Sequence, residues 1–311
     1  MSFSADVRNE LARIMPEKKC CGRAELAALL LNKSALHKSN ENYIMTVETD
    51  NPAIARKIYK YLKEFYQLTS SVKIIDKSKV RKSRGYIVNT FFSPAEFLRL
   101  NEIIIIDHNK IKPRWEGLAT KNCCKRAYLR GIFLGRGFIN RPEGDYHLEL
   151  IISEANLAKE VQKLLYKFGV EAKIIDRKKS KLLYVKESDQ IADFLRIVGA
   201  NQALLEFENV RILKSMRNSV NRHVNCETAN LAKTIDASVR QTELIRKLSV
   251  QQGLDSLPNQ LRELALLRVE YPESTLKELG EMLEPPLSKS GIAYRMRRLE
   301  KIAEEMLDNW I

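Results

Sequence analysis

Residues 129–137 read Leu129-Arg130-Gly131-Ile132-Phe133-Leu134-Gly135-Arg136-Gly137, an apolar helix-forming stretch broken by glycines. Gly131 and Gly135 stand one helical turn apart. Glycine weakens a helix, and a pair at this spacing lets a second helix backbone approach closely. Residues 26–34, Leu26-Ala27-Ala28-Leu29-Leu30-Leu31-Asn32-Lys33-Ser34, put Ala28 and Asn32 at the matching places. These two stretches are expected to be the helices that meet, with Ala28, Asn32, Gly131 and Gly135 at their interface.

The surroundings repeat as well. Cys20-Cys21-Gly22-Arg23-Ala24-Glu25-Leu26 recurs as Cys123-Cys124-Lys125-Arg126-Ala127-Tyr128-Leu129, and Lys73-Ile74-Ile75-Asp76 recurs as Lys173-Ile174-Ile175-Asp176. In the first copy a helix from about Arg23 precedes a strand near Tyr43–Glu48. A helix over 52–66 follows, with Ile54, Ile58, Tyr61, Leu62 and Phe65 on one stripe. Next come a hairpin, 72–75 with 86–91, and a helix opened by Ser93-Pro94. The second copy has a strand at 147–152, a helix at 156–168 closed by Gly169, a hairpin at 172–175 with 182–185, and a helix from Asp189. Each copy is close to α-β-α-β-β-α, with any strand between the first helix and Tyr43 left open. Unrelated core helices would match in one place only; two copies in register with matching hairpins argue for duplication, packed about a pseudo-twofold axis.

Charge divides the chain. Its 311 residues carry a net charge of +14. Residues 219–311 hold 13 Lys and Arg against 14 Asp and Glu, leaving 40 against 25 over 1–218. A basic excess of that size favours polyanions, either nucleic acid or an anionic membrane surface. Texture changes at the same place: helices and strands alternate before 218, and everything after it reads as helix. The expected domains are therefore 1–218, with repeat one at about 20–105 and repeat two at about 120–215, and 219–311. The first residues have no apolar segment of a signal peptide, and the run Ile103–Ile106 is far too short to span a bilayer. Five cysteines with two adjacent pairs make a poor disulfide framework, which fits a reducing cytoplasm.

Residues 129–137 resemble the LAGLIDADG motif of homing endonucleases, position for position in the glycines and apolar residues. In an active member, the acid near the end of the motif binds the divalent metal that cleaves DNA. The matching positions here are Lys33 and Arg136. Cations cannot ligate Mg²⁺ and would repel it, so no catalytic residue, metal or cofactor is expected.

The two hairpin turns are basic. Residues 73–84 hold Lys73, Lys77, Lys79, Arg81, Lys82 and Arg84 against Asp76, and residues 173–186 hold Lys173, Arg177, Lys178, Lys179, Lys181 and Lys186 against Asp176. The resemblance implies sheets that form a saddle over a duplex. It would aim Lys77, Lys79, Arg81, Lys82, Arg84, Arg177, Lys178, Lys179 and Lys181 at phosphates, where they add salt-sensitive affinity but little sequence information. Basic turns that are simply solvated are the plain alternative.

Three helices are expected at the end. Residues 258–271 carry Leu261, Leu264, Ala265 and Arg268 at helical spacing, and Thr275-Leu276-Lys277-Glu278 is a capping box with Leu276, Leu279, Met282 and Leu283 as its buried stripe. Ser288 caps a third helix reaching about Met306, with Ile292, Met296, Leu299 and Ala303 on its core arc. Opposite them lie Ser290, Tyr294, Arg297 and Lys301, with Arg298 beside them and Arg295 flanking the core. Four basic residues and no acid over 287–298 suit a recognition helix in the major groove. Its arginines can pair with guanine, while Ser288 and Lys289 can hold phosphate. Trihelical bundles that bind no DNA share this pattern. A long helix over 225–248, with Leu231, Ile235, Val239 and Ile245 on its apolar side, would connect the halves or pack on the trihelical unit.

Further segments carry a closer resemblance. These are Ser2-Phe3-Ser4, the paired motif remnants, 217–230 with Arg217-Asn218, Asn221-Arg222 and Asn225-Cys226-Glu227-Thr228-Ala229-Asn230, and Pro285-Pro286-Leu287-Ser288-Lys289-Ser290-Gly291. Together they are similar to the WhiA family over essentially the whole chain. The resemblance implies an α+β chain, two pseudo-symmetric LAGLIDADG-like repeats followed by an all-α helix-turn-helix domain. It also implies transcriptional control of sporulation in filamentous actinomycetes, and roles in cell division and chromosome segregation in other Gram-positive bacteria.

Cys20, Cys21, Cys123 and Cys124 precede the two equivalent helices, and parallel helices would bring them together as in a metal site. Adjacent cysteines rarely both reach one ion, so small buried residues are the expectation. His37, His108, His147 and His223 show no metal or triad spacing. The expected function is sequence-specific, non-catalytic binding of double-stranded DNA on the nucleoid of the cytoplasm. The alternatives are an interaction protein of division or segregation, with a regulatory protein partner, and a nuclease using acids outside the motif.

Overall fold

Both repeats fold as helix, two paired strands, helix, two paired strands, helix. The computed structural model describes residues 2–39, 42–76, 84–107, 110–113, 118–178 and 180–308. It divides into two units, Met1–Lys214 and Ser215–Ile311. A leading helix α1 (Phe3–Arg13) is followed in repeat one by α2 (Lys19–Lys33), β1 (Ser34–Ser39), β2 (Asn42–Thr49), α3 (Pro52–Tyr66), β3 (Thr69–Asp76), β4 (Arg84–Phe92) and α4 (Pro94–Leu100). A hairpin of β5 (Ile104–Asp107) and β6 (Lys110–Pro113) intervenes. Repeat two is α5 (Asn122–Arg136), β7 (Gly137–Ile139), β8 (Leu148–Ile152), α6 (Ala155–Tyr166), β9 (Lys173–Arg177), β10 (Ser180–Val185) and α7 (Ser188–Val198). The strand left open after the first helix is present in both copies. It follows the helix directly, with no turn residues to announce it.

Strand order confirms the duplication: the sheets run β1-β2-β4-β3 and β7-β8-β10-β9, antiparallel throughout. In β2 and β4 alternate residues Met45, Val47, Val88 and Phe92 are buried under helices, and Leu148, Leu150, Ile152, Leu183 and Val185 do the same in repeat two. Local sequence sets the helix ends. The Asn51 side chain accepts from the Ala53 and Ile54 amides at the start of α3, and Ser93 with Glu96 forms a reciprocal capping box on α4.

Helix α1 joins both repeats. Asn51 Nδ2 donates to Asn9 Oδ1 (2.7 Å) in repeat one, and Arg8 Nη2 donates to Gly137 O (2.5 Å) in repeat two. The Glu10 carboxylate accepts from the Gln202 and Ala203 amides (2.8 and 3.0 Å), a negative charge on the positive end of the next helix.

That next helix, α8 (Asn201–Gln251), is one continuous element through the division at Lys214. From sequence the helix is read over 225–248, connecting the halves or packing on the trihelical unit, with Ile245 on its apolar side together with three others, Leu231, Ile235 and Val239. All three are more than half exposed, whereas Ile245 and Leu248 enter a core. The first turns of α8 bury Ala203 and Phe207 in the first unit's core. Over 225–248 the apolar spacing is real, but among the described residues it is covered along the last turns of the helix. They pack with α9 (Asn259–Glu270), α10 (Leu276–Glu281) and α11 (Lys289–Asp308) to form the second unit's core. Among the described residues no helix is long and apolar enough to cross a membrane.

Candidate nucleic-acid interface

The seam between the repeats is the pair α2 and α5. A Cβ added to Gly131 would lie 2.5 Å from Glu25 O and 2.7 Å from Ala28 Cβ, so the helices touch through backbone at this level. Thiols from the first turns of both helices also lie together. The helices therefore run side by side in the same direction, and Lys33 and Arg136 are their last residues. Arg136 is half-buried and has no ion-pair partner among the described residues. Gly135 is half-buried; for Asn32 and Lys33 the backbone alone is described.

Sequence reasoning missed the charge cluster inside this seam. The buried Glu25 carboxylate takes Lys57 Nζ at 2.5 Å and Arg130 Nη2 at 2.8 Å, and accepts the Tyr61 hydroxyl at 2.9 Å. Lys57 Nζ also donates to Leu11 O (2.9 Å) and Ile14 O (2.6 Å), and Arg130 Nη1 to Val198 O (3.2 Å). One carboxylate thus ties α2, α3 and α5 together, and its two cations reach carbonyls of α1, the residue just beyond α1, and α7. Burial lowers the Lys57 ammonium to about 8, against the opposing pull of Glu25. The signal was a charged residue inside each apolar stripe, Glu25 between Ala24 and Leu26 and Lys57 between Ile54 and Ile58; pairing over such separations is not readable from spacing.

The four repeat cysteines converge. Sγ atoms of Cys20, Cys21, Cys123 and Cys124 all lie within 4.8 Å of one another, and all are free thiols. Cys21 and Cys124 are buried as expected, but Cys123 is half-buried and Cys20 exposed. Burial raises the Cys21 and Cys124 thiols, the latter to about 11, while a hydrogen bond with Cys21 lowers Cys123.

Of the hairpin cations, Arg84, Arg177 and Lys178 are exposed and Lys181 pairs with Asp176 on the neighbouring strand. Lys77, Lys79, Arg81, Lys82 and Lys179, and likewise His108, lie outside the described residues. Strand register places Ile44, Thr46, Glu48, Ile87, Asn89, Phe91, Lys73 and Ile75 on the helix-free face of the first sheet. The second sheet matches it with Phe138, Glu149, Ile151, Ile175, Leu182, Tyr184, Lys173 and Arg177. Phe91, Phe138 and Ile175 stand 42–50% exposed. These faces are more apolar than the hairpin composition led us to expect.

In the second unit α9, α10 and α11 form a trihelical core. The capping box of α10 is present: Thr275 N donates to Glu278 Oε2 (2.6 Å) and Glu278 N to Thr275 Oγ1 (3.3 Å). Leu279 and Leu283 are buried and Leu276 partly so, but Met282, expected in the same stripe, is 44% exposed because α10 ends at Glu281. The turn into α11 depends on Gly280, where a Cβ would sit 2.5 Å from Leu287 O. Arg268, buried, donates to Ser274 O (2.7 Å) and holds the connection between α9 and α10.

Helix α11 has the two expected faces. Ile292, Met296, Leu299 and Ala303 are at most 1% exposed. Ser288, Lys289, Ser290, Tyr294, Arg297, Arg298 and Lys301 are exposed, and Arg295 is half-buried at the edge. The Ser288 hydroxyl accepts from Gly291 N (3.3 Å) and contacts Ser290 Oγ (3.0 Å), fixing the first turn. Lys301 lies 3.8 Å from Glu305; among the described residues Lys289, Arg295, Arg297 and Arg298 have no carboxylate partner.

Three family models match the chain: the WhiA N-terminal LAGLIDADG-like domain at 19–104, the WhiA LAGLIDADG-like domain at 125–217, and the WhiA C-terminal HTH domain at 220–303. The chain belongs to the WhiA family. A WhiA relative from Syntrophomonas wolfei, named as a probable cell division protein, is 53% identical over 99% of both chains. Another with the same name from Heliobacterium modesticaldum is 47% identical, covering 98% of this chain and 96% of its own. The crystal structure of full-length WhiA from Thermatoga maritima matches 98% of this chain and 99% of its own with a TM-score of 0.60 at 25% identity. The WhiA architecture of two LAGLIDADG-like domains and a helix-turn-helix accounts for both units.

Proposed function

We propose that this chain is a non-catalytic, sequence-specific double-stranded DNA-binding protein of the cytoplasmic nucleoid, a transcription regulator linked to cell division and chromosome segregation or to sporulation. The observation that carries this reading is the outer arc of α11. Among the described residues Arg297 and Arg298 stand exposed without carboxylate partners, on a helix whose other side is locked into a trihelical core. A fixed helix presenting free guanidinium groups suits base edges in a major groove, and Ser288, Lys289 and Ser290 at its start suit phosphate. The reading-head is the helical part beyond about 218, and the hairpin cations of the repeat domain add phosphate contacts. Cleavage is disfavoured because the two ends of the helix pair carry Lys33 and Arg136 where metal-binding acids would be needed.

A second reading rests on the sheets. Their helix-free faces expose Phe91, Phe138 and Ile175, which favours a regulatory protein partner on those faces of the repeat domain. The two readings are compatible on one chain.

The test uses the full chain, since residue 218 lies inside α8 and truncation there would expose a cut helix. Arg297→Ala or Arg298→Ala should cost about 1–3 kcal/mol of specific binding, measured by fluorescence anisotropy on a bound genomic fragment. No loss with either variant removes α11 as the reading helix. Nicking of supercoiled plasmid with Mg²⁺ or Mn²⁺ above the buffer control would overturn the non-catalytic assignment.

A further inference from the structure

Two Cys-Cys pairs, 103 residues apart in sequence, meet at the first turns of the paired helices α2 and α5. We propose that Cys20, Cys21, Cys123 and Cys124 bind a single Zn²⁺ ion as a tetrathiolate that clips the starts of the two repeats together. Neither the proposed DNA-reading surface nor the motif remnants assign these residues any role, and the site stands independently of that reading.

The geometry fits one ion. Zinc–sulfur bonds of about 2.3 Å at tetrahedral angles put sulfurs about 3.8 Å apart. The four Sγ atoms already lie within 4.8 Å of one another, so closing on an ion needs side-chain movement of about 1 Å or less. An iron–sulfur cluster spreads its thiolates around several metal atoms and would need a wider cage. Adjacent cysteines seldom share an ion, because neighbouring side chains in an extended strand diverge. Here each pair sits on the first turn of a helix, and the partner helix brings a second pair to the same point.

The chemistry fits as well. Four thiols and Zn²⁺ give a Zn(S-Cys)₄ centre of charge −2 with release of four protons. That negative charge lies at the start of two parallel helices whose first amides have no side-chain cap and whose first turns contain no acid. Lys18, Lys19, Lys121 and Lys125 flank them in sequence. Soft thiolates with no carboxylate in the set select zinc over magnesium or calcium. The site is closed on one side by the buried Cys21 and Cys124, and the exposed Cys20 provides an entry path.

The experiment measures metal by plasma mass spectrometry in the full chain, purified under reducing conditions and reloaded with Zn²⁺ or Co²⁺ after chelation. The expected result is about one equivalent of zinc per chain, and a cobalt form with the intense visible bands and thiolate-to-metal charge transfer of a tetrahedral thiolate centre. Cys226→Ser should leave both unchanged, and Cys21→Ser with Cys124→Ser should abolish them. Because that double variant loses core side chains, Cys20→Ser is the second probe; it should lower zinc affinity at least about tenfold in competition with a chromophoric chelator. Zinc far below one equivalent with all thiols free to alkylation, an iron–sulfur spectrum, a disulfide between the pairs, or unchanged affinity in Cys20→Ser would each overturn the proposal.

Discussion

Replacing Glu25 by Gln should loosen the repeat seam far more than its size suggests. The substitution keeps the shape but removes the negative charge that Lys57 and Arg130 share at 2.5 and 2.8 Å. Breaking a buried ion pair from one side costs about 3–5 kcal/mol, because the remaining cation is left uncompensated. Two cations are involved, but both keep carbonyl partners: Lys57 on Leu11 O and Ile14 O, Arg130 on Val198 O. The retained dipoles set the expectation at the lower end, about 3 kcal/mol, roughly a hundredfold in the opening equilibrium. Hydrogen exchange followed by mass spectrometry on the full chain reads this locally. Peptides of α2 and α5 should exchange about a hundredfold faster, while those of α9–α11 keep wild-type rates. Removing the whole cluster with Glu25→Leu, Lys57→Met and Arg130→Met should recover most of the loss, since no lone charge is left behind. Unchanged protection in Glu25→Gln, or faster exchange spread equally over α9–α11, would refute the role given to this carboxylate.

Other expectations follow from the same contacts. Gly131→Ala forces a methyl to within 2.5 Å of Glu25 O, so despite alanine's better helix propensity it should lower stability, by about 1–3 kcal/mol on denaturation. Gly280→Ala meets Leu287 O at 2.5 Å and should weaken DNA binding together with protection of α10 and α11, leaving α2 and α5 untouched. Lys57 has a folded-state pKa lowered from 10.5 to about 8, so between those values the unfolded chain holds a proton that the folded chain has released. Stability relative to Lys57→Met should therefore rise with pH across that window, and the gain should disappear as pH falls through about 8; a flat difference would deny the burial effect.

Much of the fold was legible because local chemistry and burial agreed. Ser93-Pro94 and Thr275 with Glu278 announced helix starts that the structure realises through real caps, and the glycine at 131 marked a real backbone contact. Three kinds of feature stayed hidden. Strands β1 and β7 begin on the residue after a helix ends, leaving no turn signal. Leu231, Ile235 and Val239 repeat at helical spacing yet are exposed, since periodicity shows that a face exists and not that something covers it. The Glu25, Lys57 and Arg130 cluster depends on the parallel approach of α2 and α5, a long-range fact that no local window contains; the four cysteines could be expected to meet only because the repeat already paired those two helices. The outward arc of α11 was readable for the opposite reason, as its core residues and its exposed cations separate cleanly on a single helix.

The most direct measurement is selection of bound duplexes from a random-sequence DNA pool by the full chain, run in parallel with Arg297→Ala and Arg298→Ala at fixed salt. The expected result is one enriched site bound about a thousandfold or more tighter than random duplex, with intact strands recovered and the preference relaxed at particular base pairs in the variants. A pool that never enriches, or the same site returned unchanged by both variants, would contradict the assignment of α11 as the element that reads DNA.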